Sequence, residues 1–157
     1  MSKKSRFIRL FFIVITLLFA MGAWVYVAYF SSPKYKNIHS VGTSSGLTVV
    51  LPTRLPKGSE ITYHPTYQET TGVISTIVEV EGTKVTVSQQ KRPDTDLKQI
   101  DAADTFLVNA GSVYVVKGEK GRLQAIVETT DSWVIVNADA KLGSTTFRTI
   151  LESLGPI

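Results

Sequence analysis

The chain has 157 residues, a formal net charge of +4 and no cysteine, so it forms no disulfide and carries no lipid-modified cysteine. Four of its 17 Lys and Arg residues lie in the first nine positions, and the remainder balance the 13 Asp and Glu residues. The chain beyond position 9 therefore has no basic excess of the kind that indicates a nucleic-acid-binding domain.

The stretch from Leu10 to Phe30 contains no charged residue. As a helix it is about 32 Å long, which matches the hydrocarbon thickness of a bilayer. Four basic residues and no acidic residue precede it, so the N-terminus is expected in the cytoplasm and the rest of the chain outside. We predict a cytoplasmic tail (1–9) and a transmembrane helix (10–30) whose partner is the lipid bilayer of the plasma membrane.

A cleaved signal peptide is the alternative reading of this N-terminus. Cleavage after Gly22 would leave the apolar residues Ala23–Phe30 as the new N-terminus, which favours an uncleaved anchor.

Residues 31–46 are rich in Ser and Gly, and we predict a flexible tether there, followed by a compact extracytoplasmic domain at 47–157. The tether contains Gly42-Thr43-Ser44-Ser45-Gly46, a formal match to the G-x-S-x-G nucleophile elbow. That motif requires a strand before it and a helix after it, and neither is predicted here.

Strand patterns begin after the tether. Leu47–Leu51 predicts a first strand, and Ile61–His64 a short second strand that ends at Pro65, because proline cannot donate to a ladder. Val73–Val80 and Thr83–Gln90 predict a hairpin around the two-residue turn Glu81-Gly82.

Lys91–Asp104 interrupts the strand pattern with a polar excursion, in which Leu97 and Ile100 allow a short helix. A meander of antiparallel strands follows. Its predicted members are Thr105–Val108, Ser112–Lys117, Leu123–Thr129 and Trp133–Ala138.

The last element is a predicted helix with Ser144 as its N-cap and Gly155-Pro156 as its stop. Its apolar stripe has the helical spacing i, i+3, i+4 and i+7. The stripe consists of Phe147, Ile150, Leu151 and Leu154. We therefore predict an α+β fold: a transmembrane helix, then a mostly antiparallel sheet of about seven or eight strands packed against a C-terminal helix.

The register of the last strand follows from its alternation. Val134, Val136 and Ala138 are uniformly apolar, so we expect them to face the closing helix. Trp133 and Ile135 then face the opposite way.

Few residues suggest chemistry, and we predict no catalytic, cofactor-binding or metal-binding residue. His39 lies in the tether and His64 beside a proline, which disfavours a zinc site. Trp133 is interpreted as a packing residue rather than a ligand-stacking platform. The acidic group is interpreted as a solvated loop without the pattern of a calcium loop. It consists of Asp94, Asp96, Asp101 and Asp104.

Several motifs together resemble a known family. They are the Leu55-Pro56-Lys57-Gly58 turn, the long hairpin, the strand Trp133-Val134-Ile135-Val136 and the closing helix Thr146–Leu154. In this order, over residues 47–154, they resemble a bacterial extracytoplasmic domain of unknown function often attached to anti-sigma-factor-like membrane proteins. The resemblance implies no catalytic residues, and the nine residues before the anchor are too few for a helical domain that holds a sigma factor.

The sequence is compatible with two functions. The first is a non-catalytic binding or sensing module of the cell envelope, whose partner is an envelope protein, a lipid or a wall polymer. The second is an envelope hydrolase with two carboxylates about 5–9.5 Å apart. Glu79 and Glu128 lie on predicted strands and are the pair considered for it.

Overall fold

The computed structural model describes residues 38–94, 100–118 and 121–157. These residues belong to one compact unit, Asn37–Ile157. The predicted cytoplasmic tail, the transmembrane helix and the first part of the tether lie outside the described residues. Within those residues, no helix combines the length and apolar character needed to cross a bilayer.

The described unit contains two helices, nine strands and one 3-10 turn at Ala140–Leu142. The helices are α1 (Ile38–Ser45) and α2 (Ser144–Glu152). The strands are β1 (Val50–Pro52), β2 (Glu60–Gln68), β3 (Val73–Val80), β4 (Thr83–Lys91), β5 (Asp104–Val108), β6 (Gly111–Lys117), β7 (Leu123–Glu128), β8 (Ser132–Ala138) and β9 (Leu154–Pro156).

Seven of the strands form one antiparallel sheet in the order β2-β3-β4-β8-β7-β6-β5. Every neighbouring pair in it is antiparallel. The predicted α+β fold, with a large antiparallel sheet and a C-terminal helix, is confirmed. The remaining strands, β1 and β9, pair in a separate two-stranded sheet.

The predicted hairpin of β3 and β4 is confirmed around Glu81-Gly82. Both turn residues have positive φ, 53° at Glu81 and 71° at Gly82, the combination that a type I′ turn requires. The twist of this turn matches that of the flanking strands, so eight residue pairs follow it without a bulge.

The core lies between α2 and one face of the large sheet. We call this face the inner face and the opposite one the outer face. Val134, Val136 and Ala138 are buried on the inner face, so the predicted register of β8 is confirmed. The same core contains all four residues of the predicted stripe. Phe147, Ile150 and Leu151 lie on α2, whereas Leu154 lies on β9, because the helix ends at Glu152 rather than at Leu154 as predicted. Trp133 lies on the outer face and is half-buried, so it is not part of this core.

The end of the chain differs from the prediction. Ser144 is the first helical residue rather than the cap, and Gly143 occupies the cap position without a side-chain hydrogen bond. The helix does end before Gly155-Pro156, but these two residues belong to β9, which pairs with β1. Proline can occupy this two-stranded pair because one side of each strand needs no ladder partner.

The predicted flexible tether at 31–46 is wrong where the structure describes it, because Ile38–Ser45 forms α1. Ile38 and Val41, three positions apart, are both buried, and this short stripe packs the helix against β2 and β3. Gly46 ends the helix at φ 67°, with its N–H bonded to the Gly42 carbonyl. Packing therefore orders a stretch whose composition is typical of a linker, and the compact unit begins before residue 47.

Two predicted strands differ from the structure by more than one residue at a bound. The second strand does not end at Pro65, because β2 runs through it to Gln68. β2 is an edge strand with register shifts on either side of Tyr63, and an edge or a bulge is where a ladder tolerates proline. The first strand begins at Val50 rather than Leu47. Of the predicted short helix in the excursion, Leu97 lies outside the described residues, and Ile100 is in a bend.

Candidate functional site

Two chain reversals come together at one end of the large sheet. One is the turn Asn109-Ala110 between β5 and β6, and the other joins β7 to β8 through Thr129–Asp131. The segment that leads into β1 reaches the same place, because the Thr48 N–H donates to the Asp131 carboxylate at 3.3 Å. We call this region the turn end of the sheet.

A buried polar cluster holds the turn end together. The Gln89 side chain is 2% exposed and donates from Nε2 to the Thr48 carbonyl at 2.6 Å and to the Ser132 hydroxyl at 2.8 Å. Its Oε1 accepts from the Val50 N–H at 3.0 Å. The Thr129 hydroxyl lies 2.8 Å from the Ser132 hydroxyl. Because every member has a partner, the cluster fixes the positions of the surrounding loops.

Asp131 presents the only carboxylate that contacts this cluster among the described residues. Burial by itself would raise the pKa of its carboxyl, but hydrogen bonds from the Thr48 N–H and the Thr129 hydroxyl lower that pKa below its usual value of 3.8. The Thr129 bond measures 3.0 Å. The carboxylate is therefore ionised at neutral pH and oriented by donors on both sides.

The first cavity of the turn end has a volume of about 360 Å³. Most of its side chains are hydroxyls, an amide or the Asp131 carboxylate. Its lining residues are Thr48, Val50, Asn109, Ala110, Thr129, Thr130, Asp131 and Pro156. Such a lining offers several hydrogen-bonding groups to a ligand, beside the apolar surface of Val50, Ala110 and Pro156.

The second cavity, of about 490 Å³, adjoins the first and shares Ala110, Thr129 and Thr130 with it. Arg92 and Glu128 line it and form an ion pair with an N–O distance of 2.5 Å. The remaining lining residues are Leu107, Gly111 and Ser112.

Two features shape this second cavity. Glu128 also accepts a hydrogen bond from the Tyr114 hydroxyl at 3.2 Å, which fixes the carboxylate on the sheet. Gly111 has φ 149°, and a Cβ at that position would overlap the Glu128 carbonyl oxygen, so only glycine fits there.

A third cavity, of about 340 Å³, lies between α1 and β2. Each of the three cavities is lined by a single acidic residue, which is Asp131, Glu128 or Glu69 respectively. None of them therefore brings two carboxylates together across a cleft, which a glycoside hydrolase requires.

The carboxylate pair considered from the sequence is not assembled. Glu79 lies on β3 and Glu128 on β7, with β4 and β8 between them. Three inter-strand spacings of about 4.8 Å separate them by about 14 Å, before any displacement along the strands. Glu79 instead faces Glu60 and Lys84 on the neighbouring strands, away from the turn end.

The other sequence candidates are dispersed. Ser44 of the G-x-S-x-G match lies in the last turn of α1, so the strand–turn–helix context of a nucleophile elbow is absent there. His39 is exposed on the same helix, and His64 is on β2. Asp104 pairs with Arg148 at 2.9 Å. Among the described residues, no three His, Cys, Asp or Glu side chains converge as metal ligands.

Sequence reasoning did not identify the residues that line the turn end. Thr48 was assigned to the predicted first strand, and Asn109 and Thr130 to turns, where such residues are common for local reasons. Leu107 gave no signal, since it lies inside the uniformly apolar run Phe106–Val108. Their convergence depends on strand order, which the local pattern does not contain.

Comparison with known proteins returned no relative. No protein-family model, no curated protein and no solved structure matches the chain.

Proposed function

We propose that the chain is a single-pass, membrane-anchored binding module of the bacterial cell envelope, without catalytic activity. The N-terminal segment supports the anchor: Leu10 to Phe30 is uncharged, and four basic residues precede it within nine positions, against Lys34 and Lys36 on the other flank. In this proposal the compact unit faces the outside of the plasma membrane. The resemblance to the extracytoplasmic domain of anti-sigma-factor-like proteins is consistent with that placement.

The observation that carries the binding role is the pair of adjoining cavities at the turn end. Binding sites are concave, largely pre-formed and equipped with a few oriented polar groups. Here the buried contacts of Gln89 and Ser132 hold the loops before any ligand arrives. A pre-formed site avoids the entropic cost of ordering loops on binding.

The lining combines apolar surface with polar groups, and the polar groups would orient a ligand. Thr48, Asn109 and Thr130 offer hydroxyl and amide groups, and Asp131 adds an ionised acceptor. These groups suit the hydroxyls and amides of a wall glycan or of an extended peptide segment. We do not propose catalysis at the turn end, because Asp131 and Glu128 each already accept hydrogen bonds and Glu128 is also paired with Arg92.

A site-specific photo-crosslinker tests the binding surface. It would replace Thr130, which is exposed and lines both cavities, in the full-length chain in living cells. The matched control carries the crosslinker at Lys84, which is exposed at the opposite end of the sheet. A product at Thr130 that is absent at Lys84 is expected. Equal products at both positions, or none at Thr130, would refute the turn end as the binding surface.

Protease accessibility tests the membrane topology separately. Protease added to intact cells after wall removal should degrade the compact unit and leave the anchor in the membrane. Protection of the C-terminus would show that the orientation is wrong, whatever the crosslinking result.

A further inference from the structure

The two edges of the large sheet differ in how they are protected. β2 forms one edge and carries Pro65 together with two register irregularities, features that prevent another strand from pairing. β5 forms the other edge and has five residues in regular register with β6. It contains neither proline nor lysine. Its Leu107 side chain is 82% exposed, the highest exposure among the large hydrophobic residues of the described part of the chain.

The direction of the backbone groups on β5 follows from one hydrogen bond. The Thr105 N–H donates to the Asp104 carboxylate at 2.9 Å, so it points away from the ladder with β6. Backbone direction alternates along a strand, so the N–H and carbonyl of Leu107 also point to the open edge. Leu107 thus presents an unprotected apolar side chain and two outward backbone groups at one position.

β5 is held rigid from the inner face. The Arg148 guanidinium lies 4.4 Å from the centroid of the Phe106 ring and pairs with Asp104 at 2.9 Å. The same guanidinium bonds Glu152 one turn along α2. These contacts neutralise the acidic residue of β5 and fix the strand to the helix, so the edge is ordered before it meets a partner.

We propose that β5 pairs with β5 of a second copy of the chain, antiparallel and about a two-fold axis at Leu107. In this register the two Leu107 residues donate to and accept from each other. Phe106 lies opposite Val108 of the second copy. Thr105 and Asp104 face the turn Asn109-Ala110 of the second copy, which follows the end of β5. Both turn residues are uncharged, so no two charges of equal sign meet.

A two-fold axis at Thr105 would not give this reciprocal pair of hydrogen bonds, because the Thr105 N–H already donates to the Asp104 carboxylate. Pairing of β5 with β2 of another copy would make an open filament, but Pro65 and the irregular register of β2 oppose it. The protected second edge therefore favours a closed dimer over a chain of molecules. The inference requires no ligand at the turn end, but the two surfaces meet, because Leu107 also lines the second cavity.

Disulfide crosslinking tests this dimer. The chain has no cysteine, so every disulfide must come from an introduced residue. Leu107→Cys in the full-length chain should form a covalent dimer in cells treated with a mild oxidant, since opposed residues in such a pair have Cα atoms about 5.5 Å apart. Tyr63→Cys is the matched control, with a large side chain that is 48% exposed on the other edge strand. We expect dimer at least about tenfold faster from Leu107→Cys than from Tyr63→Cys, and equal rates would overturn the proposal.

A second pair of variants tests the register. Thr105→Cys and Asn109→Cys, expressed together, should crosslink with each other. Each variant expressed alone should not crosslink, because the two copies of the same residue are offset by four residues, or about 13 Å, along the strand pair. Self-crosslinking of Thr105→Cys as fast as the mixed pair would overturn the two-fold axis at Leu107.

Adding Leu107→Lys should abolish the mixed crosslink without affecting folding, because that side chain is exposed. A mixed crosslink that survives Leu107→Lys would also overturn the two-fold axis at Leu107.

Discussion

The side-chain carbonyl of Gln89 accepts a hydrogen bond of 3.0 Å from the backbone N–H of Val50. This bond joins the centre of the large sheet to β1, which pairs only with β9 in the two-stranded sheet. The Gln89 amide completes the junction by donating to the Thr48 carbonyl. One buried polar side chain therefore connects the two sheets and positions a wall of the first cavity.

Replacing Gln89 by Leu should destabilise the protein by about 2–3 kcal/mol, because buried backbone groups at Thr48 and Val50 would lose their partners. Gln90→Leu is the matched control, since Gln90 is the neighbouring residue on the outer face. Urea unfolding measures both free energies. Losses of equal size in the two variants would contradict the role assigned to Gln89.

Truncation of Val136 to Ala should cost about 1–3 kcal/mol of unfolding free energy, from the lost methyl groups and the cavity left behind. Val136 is 0% exposed in the cluster that includes α2. Asn137→Ala on the other face should cost far less. Thermal unfolding of the two variants provides the comparison, and a larger loss at Asn137 would conflict with the register of β8.

Asp131 should stabilise the protein at neutral pH and lose this effect in acid. The pKa of its carboxyl is lowered in the folded state, so folding favours the ionised form. That contribution is present above the usual value of 3.8 and disappears as the pH falls through the lower, folded-state pKa.

The urea midpoints of the wild type and of Asp131→Asn measure this effect. We expect the wild type to be more stable near neutral pH and the gap between the two proteins to shrink toward about pH 3. A gap that stays constant, or widens in acid, would argue against a lowered pKa.

Glu81→Asn should stabilise the β3–β4 hairpin by about 0.5–1 kcal/mol, because a left-handed backbone is costly for most residues and asparagine tolerates it best after glycine. Among the described residues, Glu81 is the one non-glycine residue with positive φ, at 53°. Thermal unfolding should show a raised midpoint. Gly82→Ala, which has φ 71° at the substituted position, should lower it. No increase with Glu81→Asn would indicate that the Glu81 backbone is not strained.

The order of the elements and the faces of the strands were contained in the sequence. Alternation placed Val134 and Val136 on the helix side of β8, because side-chain direction along a strand has a period of two. The spacing of Phe147, Ile150 and Leu151 likewise identified α2. The Glu81-Gly82 turn was recognised from its length and its glycine. These features follow from interactions between residues that are close along the chain.

The tertiary structure alone decided the rest. Ile38–Ser45 has the composition of a linker and is a helix because Ile38 and Val41 are buried. Gly155-Pro156 ends a helix by its local chemistry, yet it forms a strand because β1 lies beside it. The turn end depends on strand order, which brings Thr48, Asn109 and Asp131 together across long separations in sequence. Contacts of this kind are set by which surfaces pack, and that choice is made by the whole fold rather than by any local pattern.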